Sequence, residues 1–316
     1  MRWTIKARIQ RVLSSTPLGP QLYYLAQRHL GGFSHFSIDS KVAQGGSLLE
    51  CLAELLEPPS NWTAVEIGTG WTPILPILFW LNGQRQCDTY DNQRLLKDSL
   101  VVESARQFVA LGHARSGLCQ ANVKQNSVEQ NQFRDRLNLL EKLVAAGASG
   151  SEVMRTCNIR YHAPVDATST GLGKESVDVV YSNTTLEHAR EEEISALLRE
   201  SYRIIRPGGY MLHLIDLSDH FAHSDQLITA INFLQFSEAE FSKYNSRFLY
   251  QNRLREPRWR QIIQGQGFEI VSWKTHVDAR ALRQLSALPL DPAFADLSSE
   301  ELCVSSIHVI ARRPSR

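Results

Sequence analysis

The stretch Thr63-Ala64-Val65-Glu66-Ile67-Gly68-Thr69-Gly70-Trp71 decides the reading of this chain. An apolar run of β type carries an acid near its end. Two glycines follow, then a helical pattern from Thr72. Glycines in a strand-to-helix turn let backbone approach a ligand closely, because no Cβ intervenes. The helix that follows offers N–H groups without intrahelical partners. Such a turn sits at the carboxyl end of a parallel strand, where nucleotide-type cofactors bind. A G-x-G also occurs in ordinary tight turns, and the third glycine of the dinucleotide fingerprint is missing here.

The segments that follow sharpen the reading. Gln86 to Asp91 has the pattern of a second strand and ends in a carboxylate 23 positions after Gly68. That is close to the roughly 20 expected for an acid that holds ribose hydroxyls. Asn158 to Val165 has the pattern of a third strand, followed by Asp166-Ala167-Thr168. Val177 to Asn183 has that of a fourth, followed by Thr184-Thr185-Leu186-Glu187-His188. A helix then leads through Arg203-Ile204-Ile205-Arg206-Pro207-Gly208-Gly209-Tyr210 into a fifth strand, Met211 to Ile215.

From Trp62 to Ile215 this series resembles the class I S-adenosylmethionine-dependent methyltransferases, in the subgroup that acts on small molecules. The matching motifs are D-A-T at Asp166, D-V-V-x-S at Asp178, L-E-H at Leu186 and R-x-x-x-P-G-G at Arg203. The resemblance implies an α/β fold: a doubly wound, mostly parallel seven-stranded sheet with N-terminal helices and helical insertions. It implies S-adenosyl-L-methionine as cofactor and S-adenosyl-L-homocysteine as product. Glu66, Gly68, Thr69 and Gly70 would shape the amino-acid end of the pocket. Asp91 would hold the ribose diol, Asp166 and the Ala167 N–H the adenine, and Asn183 the methionine part. Asp91 and Asp166 have a plainer alternative as loop-capping carboxylates. Thr72 stands where many family members carry a third glycine, and Trp71 beside it could shield the cofactor.

Composition narrows the classes. The 316 residues carry a net charge of +1 and 43% hydrophobic side chains, enough for one large domain with insertions or two small ones. Near-neutral charge argues against a nucleic-acid binder. Cys51, Cys87, Cys119, Cys157 and Cys303 form no C-x-x-C pair, which suits reduced thiols and a cytoplasmic location. No apolar run approaches membrane-spanning length, so no stable membrane insertion is expected.

Residues 1–60 read as a helical lid and residues 61–316 as the methyltransferase domain, with insertions near 93–157, 220–250 and 279–301. Met1 to Leu13 interleaves Arg2, Lys6, Arg8 and Arg11 with Trp3, Ile5, Ile9 and Val12. It reads either as a helix packed on its own domain or as a membrane-surface or partner helix. Ser47 to Leu56 reads as a further helix. Tyr23, Tyr24, His35 and Phe36 face the cofactor or serve as core aromatics. Leu95 to Leu111 and Gln130 to Ala146 have helical periodicity, and their insertion covers the site or makes a homodimer contact. Pro207-Gly208-Gly209 reads as a turn returning the chain to the sheet. Phe268 to Val277 and Val304 to Arg312 read as the last two strands, an antiparallel edge hairpin.

Methyl transfer to a hydroxyl requires a positioned nucleophile and a base for its proton. His188, after the fourth strand, is the first candidate, and neutral imidazole can accept that proton. A helix-start histidine bonded to backbone is the alternative. His213, Asp216, Asp219, His220 and His223 form a second cluster, of which Asp216 and His220 could flank a substrate as an acid–base pair. No metal ligand is assigned, and a divalent metal on this cluster is the less favoured alternative. Arg253, Arg255, Arg258 and Arg260 bind a substrate anion or form a solvated helix face. The function expected is O-methylation of a sugar or other hydroxylated small molecule. RNA or protein methylation and a non-catalytic partner subunit stand as alternatives. Ser182 to Thr185 lacks the N/D-P-P-Y/F sequence of exocyclic-amine methyltransferases.

Overall fold

The structure, a computed structural model, describes residues 2–19, 22, 23, 25, 26, 37–53, 55, 61–114, 128–246, 248 and 250–315. Helix α1 spans Trp3–Ser14 and α2 Asp39–Ala53. Strand β1 (Thr63–Ile67), helix α3 (Ile74–Leu81) and strand β2 (Gln86–Tyr90) follow. Helices α4 (Asp98–Ala114), α5 (Val128–Ala145) and α6 (Gly150–Thr156) precede β3 (Ile159–His162). Then come β4 (Val177–Asn183), α7 (Glu191–Ile204) and β5 (Ile205–Asp216). The chain closes with α8 (Glu238–Phe241), α9 (Glu256–Gly265), β6 (Glu269–Val277), α10 (Ala279–Gln284), α11 (Ser299–Cys303) and β7 (Val304–Arg312).

The seven strands form a sheet in the order β3-β2-β1-β4-β5-β7-β6. β1 pairs in parallel with β2 and with β4, and β2 with β3. β7 runs against β5: Arg313 N–H donates to Gly209, and Leu217 N–H donates to Ser305. This is the mostly parallel, doubly wound α/β arrangement expected, and the strands fall where periodicity set them except that β5 begins at Ile205 rather than Met211.

The chain divides into two compact units. One comprises residues 37–183, 197–212 and 311–316; the other 1–36, 184–196 and 213–310. In the first, the core is built on β1 and β4, whose residues are nearly all buried, as befits parallel strands covered on both faces. All eight residues of α3 are buried. Phe79 packs 5.7 Å from Trp62 and 4.7 Å from Tyr181 between ring centroids. In the second unit, Ile231, Phe233, Leu234, Phe241, Ala281, Leu302 and Cys303 form one core cluster. Trp3, Ala7, Phe221 and Ile228 form another. Among the described residues no helix is long and apolar enough to cross a membrane.

Three local expectations need correction. Helix α2 begins at Asp39, eight residues before Ser47, and runs through Gly45-Gly46. A Cβ at Gly45 would lie 2.8 Å from the Leu78 side chain, so this glycine serves close helix packing rather than chain breaking. Pro207-Gly208-Gly209 lies inside β5. A Cβ at Gly209 would sit 2.6 Å from the Asp178 carbonyl oxygen, so the glycine admits a neighbouring strand. The segment between β2 and β3 holds a third helix, α6. Ser149 caps it, with the Glu152 side chain reaching back in a capping box. The Asn/Gln-rich stretch Gln120 to Gln132 reads from sequence as a flexible join or as the first turn of the second helix; residues 120–127 lie outside the described residues, and 128–132 belong to α5.

The arginine cluster divides: Arg253 and Arg255 point into the fold, while Arg258 and Arg260 stay on the solvated face of α9. Arg255 is buried and donates to the carbonyls of Leu217, Leu302 and Val304. Arg253 donates to the carbonyls of Phe233 and Phe236 and pairs with Glu238. Arg258 pairs with Glu191. Arg260 pairs with Glu256 and lies 4.4 Å over the Trp273 ring. Each guanidinium is spent on internal partners.

Candidate active site

The first cluster grows from the carboxyl ends of β1 and β2. Gly68 N–H donates to the Tyr90 carbonyl at 2.9 Å, which ties the turn to the neighbouring strand. Gly68 and Gly70 have φ of 80° and 69°, a region a side chain strongly disfavours. A Cβ at Gly70 would meet nothing within 4 Å, so open space adjoins the turn. Gly70 N–H donates to the Asp91 carboxyl at 3.0 Å. Thr69 donates its hydroxyl to Glu66 Oε2 at 2.8 Å.

Both acids are buried, and burial pushes them up: Glu66 to about 8 and Asp91 to about 7. The Thr69 bond and the Lys41 charge pull Glu66 back; Tyr161, Gly70 and Lys41 do the same for Asp91. Asn183, at the end of β4, donates to Gln44 Oε1 at 3.0 Å. Asp166 is exposed, and its Oδ1 accepts from Thr168 N–H at 2.8 Å in a local turn; Ala167 beside it is buried. Sequence reasoning missed Lys41 and Gln44 of α2 and Tyr161 of β3. No motif marks them, because long-range packing brings them to the acids.

A separate cleft of about 450 Å³ opens in the same unit between α4, α6 and β3. Its lining includes Arg94, Arg155, Arg160 and Tyr161 and none of the expected cofactor residues.

The second cluster lies in the other unit. Thr184 has a φ of 50°, rare for a β-branched residue, and its N–H donates to the Leu214 carbonyl at 2.8 Å. A 3₁₀ turn, Leu186–His188, follows. Asn252 braces it: its side chain donates to the carbonyls of Leu186 and Ala189, and its N–H to Glu187. His188 Nδ1 lies 2.7 Å from the Tyr250 carbonyl oxygen. A carbonyl only accepts, so Nδ1 carries hydrogen and, in the neutral ring, Nε2 keeps its lone pair. Burial and the neighbouring His220 lower the His188 pKa and favour the neutral ring. The residue keeps open surface, which moderates that shift without reversing it.

Asp216 ends β5. Its Oδ1 accepts from Ser218 N–H and hydroxyl at 2.8 and 2.6 Å. Its Oδ2 lies 3.4 Å from His220 Nε2 and 3.6 Å from His223 Nε2. Burial pushes the Asp216 carboxyl up, and the His220 and Ser218 contacts outweigh it, leaving the group below its ordinary value. The His220 ring is edge-on to His188 at 4.9 Å and stacked on His223 at 5.2 Å. His188, Asp216 and His220, expected as separate candidates, are therefore brought together. His213 is wholly buried in β5, and burial pushes it down to about 3. Asp219 is buried too and is occupied in loop contacts to Asn232 and Phe221. Tyr250, Ser218 and Asn252 had no sequence signal. Glu187, His188 and His220 each offer a ligand atom within 4.8 Å of the others, so these three could hold a divalent cation. Tyr23 stacks on Phe248 at 4.5 Å; Tyr24, His35 and Phe36 lie outside the described residues.

Residues 143–213 match a family model described as a methyltransferase domain. No curated protein matches the chain. Solved structures with the same general fold include an S-adenosylmethionine-dependent methyltransferase from Methanosarcina mazei. It is 13% identical over 84% of this chain and 98% of that one, with a TM-score of 0.43. Another, from Mesorhizobium loti, is 15% identical over 83% and 96%, with a TM-score of 0.41. A geranyl diphosphate methyltransferase in complex with S-adenosylmethionine is 11% identical over 85% of each chain, with a TM-score of 0.45. The seven-stranded, mostly parallel sheet with its flanking helices is the Rossmann-like methyltransferase fold. The methyltransferase-domain match over residues 143–213, together with this sheet, supports the class of S-adenosylmethionine-dependent methyltransferases. The protein is an enzyme of that class, with S-adenosylmethionine as its methyl donor.

Proposed function

We propose that the protein methylates a hydroxyl of a small molecule, a sugar or other hydroxylated metabolite, with His188 Nε2 as the base. The observation that carries this reading is the 2.7 Å bond from His188 Nδ1 to the Tyr250 carbonyl. It sets the tautomer that leaves Nε2 able to take a proton. Asp216 and His220 beside it form an acid–base pair that relays or stores that proton. Near-neutral charge supports a small acceptor over RNA.

The cofactor supplies an electrophilic methyl group on a sulfonium, so the protein needs no covalent chemistry of its own. The residues fit this donor. Positive-φ glycines with open space beside Gly70 admit close backbone approach. Asp91 presents a carboxyl at the carboxyl end of β2 for the ribose hydroxyls. Asp166, with Oδ2 outside its local turn, would accept from the adenine amino group while Ala167 N–H donates. Glu66 with Thr69, and Asn183 with Gln44, would line the amino-acid end.

The test incubates the enzyme with methyl-labelled S-adenosylmethionine and with metabolite, protein and RNA fractions of its host, each with and without a chelator. Label is expected in the metabolite fraction, insensitive to chelator. Label confined to protein or RNA would overturn the acceptor class. Loss on chelation would move His188 and His220 from proton transfer to a cation held with Glu187.

A further inference from the structure

We infer that helix α1 is a surface anchor for an anionic lipid bilayer. The helix has two opposed apolar stripes. Trp3, Ala7 and Gln10 are buried. Trp3 meets Phe221, Phe236 and Tyr244 at 4.7 to 5.8 Å, and its N–H is held by Asp225. At 100° per residue, Ile5, Ile9 and Val12 project on the other side. They are 50%, 46% and 66% exposed. Arg2 and Arg8 flank this outer stripe, about 60° to either side of Ile5 on the helical wheel. Both are exposed. Leu18, Leu22 and Leu25, further along, are 49% to 66% exposed. A soluble helix that packs one face normally turns charge, not isoleucine, to water.

Charge identifies the occupant. Residues 1–38 contain Arg2, Lys6, Arg8, Arg11 and Arg28 and no carboxylate; the first acid is Asp39. The whole chain is only +1, so the remaining residues are net negative. Of these, Arg2 and Arg8 stand beside the exposed apolar stripe, Arg2 also 3.8 Å from Asp225, while Lys6 and Arg11 bond to Ser224 and Lys243. That combination is what an in-plane helix at an anionic bilayer surface needs: aliphatic side chains enter the acyl boundary and flanking arginines meet headgroups. A second copy would bring two all-positive segments together, which repels. Three aliphatic residues on one helix also bury far less than the roughly 800 Å² per partner of a stable protein interface. The Trp3 contacts fix the stripe in one orientation, so it is displayed before any membrane is met.

The full chain is mixed with vesicles of phosphatidylcholine alone, or of phosphatidylcholine with phosphatidylglycerol, and bound protein is separated by flotation. Binding is expected on the anionic vesicles only and to weaken with salt. Arg8→Gln should lower the partition constant roughly fivefold. Ile5→Ser with Ile9→Ser should lower it by about tenfold or more. These residues are exposed, so an unchanged melting temperature and unchanged S-adenosylhomocysteine binding will show that each variant folds. Absence of anionic binding overturns the inference. So does equal binding to both vesicles, or binding untouched by the isoleucine changes. Retention by an acidic polypeptide but not by vesicles would make the partner a protein and also overturn it.

Discussion

His188 Nδ1 lies 2.7 Å from the carbonyl oxygen of Tyr250, 62 residues further along the chain. Glutamine at position 188 could hold a similar backbone bond but could not take up a proton. We expect His188→Gln to lower kcat by about 10² to 10⁴-fold while leaving S-adenosylhomocysteine affinity unchanged. Calorimetry beside a single-turnover assay separates the two, and an unchanged kcat would remove His188 from the chemistry.

Asp91 is expected to carry ribose recognition. Asp91→Ala should abolish S-adenosylhomocysteine binding in a chain that still melts cooperatively. Burial raises the carboxyl to about 7, so its accepting, ionised form is lost as pH falls through that value. Wild-type affinity should therefore weaken below about pH 7, and Asp91→Asn should flatten that dependence. A pH-independent wild-type affinity would contradict the assignment.

Glu66 makes the opposite demand on the folded chain. Its pKa rises from the ordinary value of 4.5 to about 8 on folding, chiefly through burial. The folded state holds the proton more tightly than the unfolded one. Its contribution is fully present below the ordinary glutamate range and is lost as pH rises through about 8. Asp91, raised to about 7, has the same sign. Thermal melts from pH 5 to 9 should show stability draining with rising pH, on the order of 1 kcal/mol or more. Glu66→Gln should reduce the slope; an unaltered slope would show that the acid is charged in the fold.

Thr184 stands at a φ of 50° immediately before the turn that carries His188. Such strain costs about 1 to 3 kcal/mol and tends to sit where function requires it. Thr184→Asn, which tolerates that conformation, should stabilise the chain by roughly 1 kcal/mol in urea titration. Turnover should fall if the threonine itself meets substrate, and a destabilised variant would show that the strain is not backbone strain.

Arg255 closes three carbonyls in a buried setting, and burial lowers it to about 10. Arg255→Met should cost roughly 3 kcal/mol or more, because those acceptors lose their donor. A urea midpoint close to wild type would show that water replaces it.

Much of the fold was legible because strand periodicity and turn chemistry are local. β1, β4 and β7 are bounded as their apolar runs predict. Two errors fell beside glycines: the expected helix began at Ser47, past Gly45, and Gly209 was expected in a turn, yet both serve close approach of distant chain. The arginine cluster misled for a related reason. Four cations in eight positions look like one surface, yet Arg253 and Arg255 turn inward to carbonyls that lie far away in sequence.

The sequence by itself determined most of the strands, the glycine turn after β1 and the acids at the carboxyl ends of β1 and β2, because each is written in neighbouring residues. Tertiary structure alone decided that Lys41 and Gln44 come to the cofactor cluster and that Tyr250 fixes the His188 tautomer. Tertiary structure also separated the packed from the exposed stripe of α1, because periodicity marks apolar faces but not which of them finds a partner.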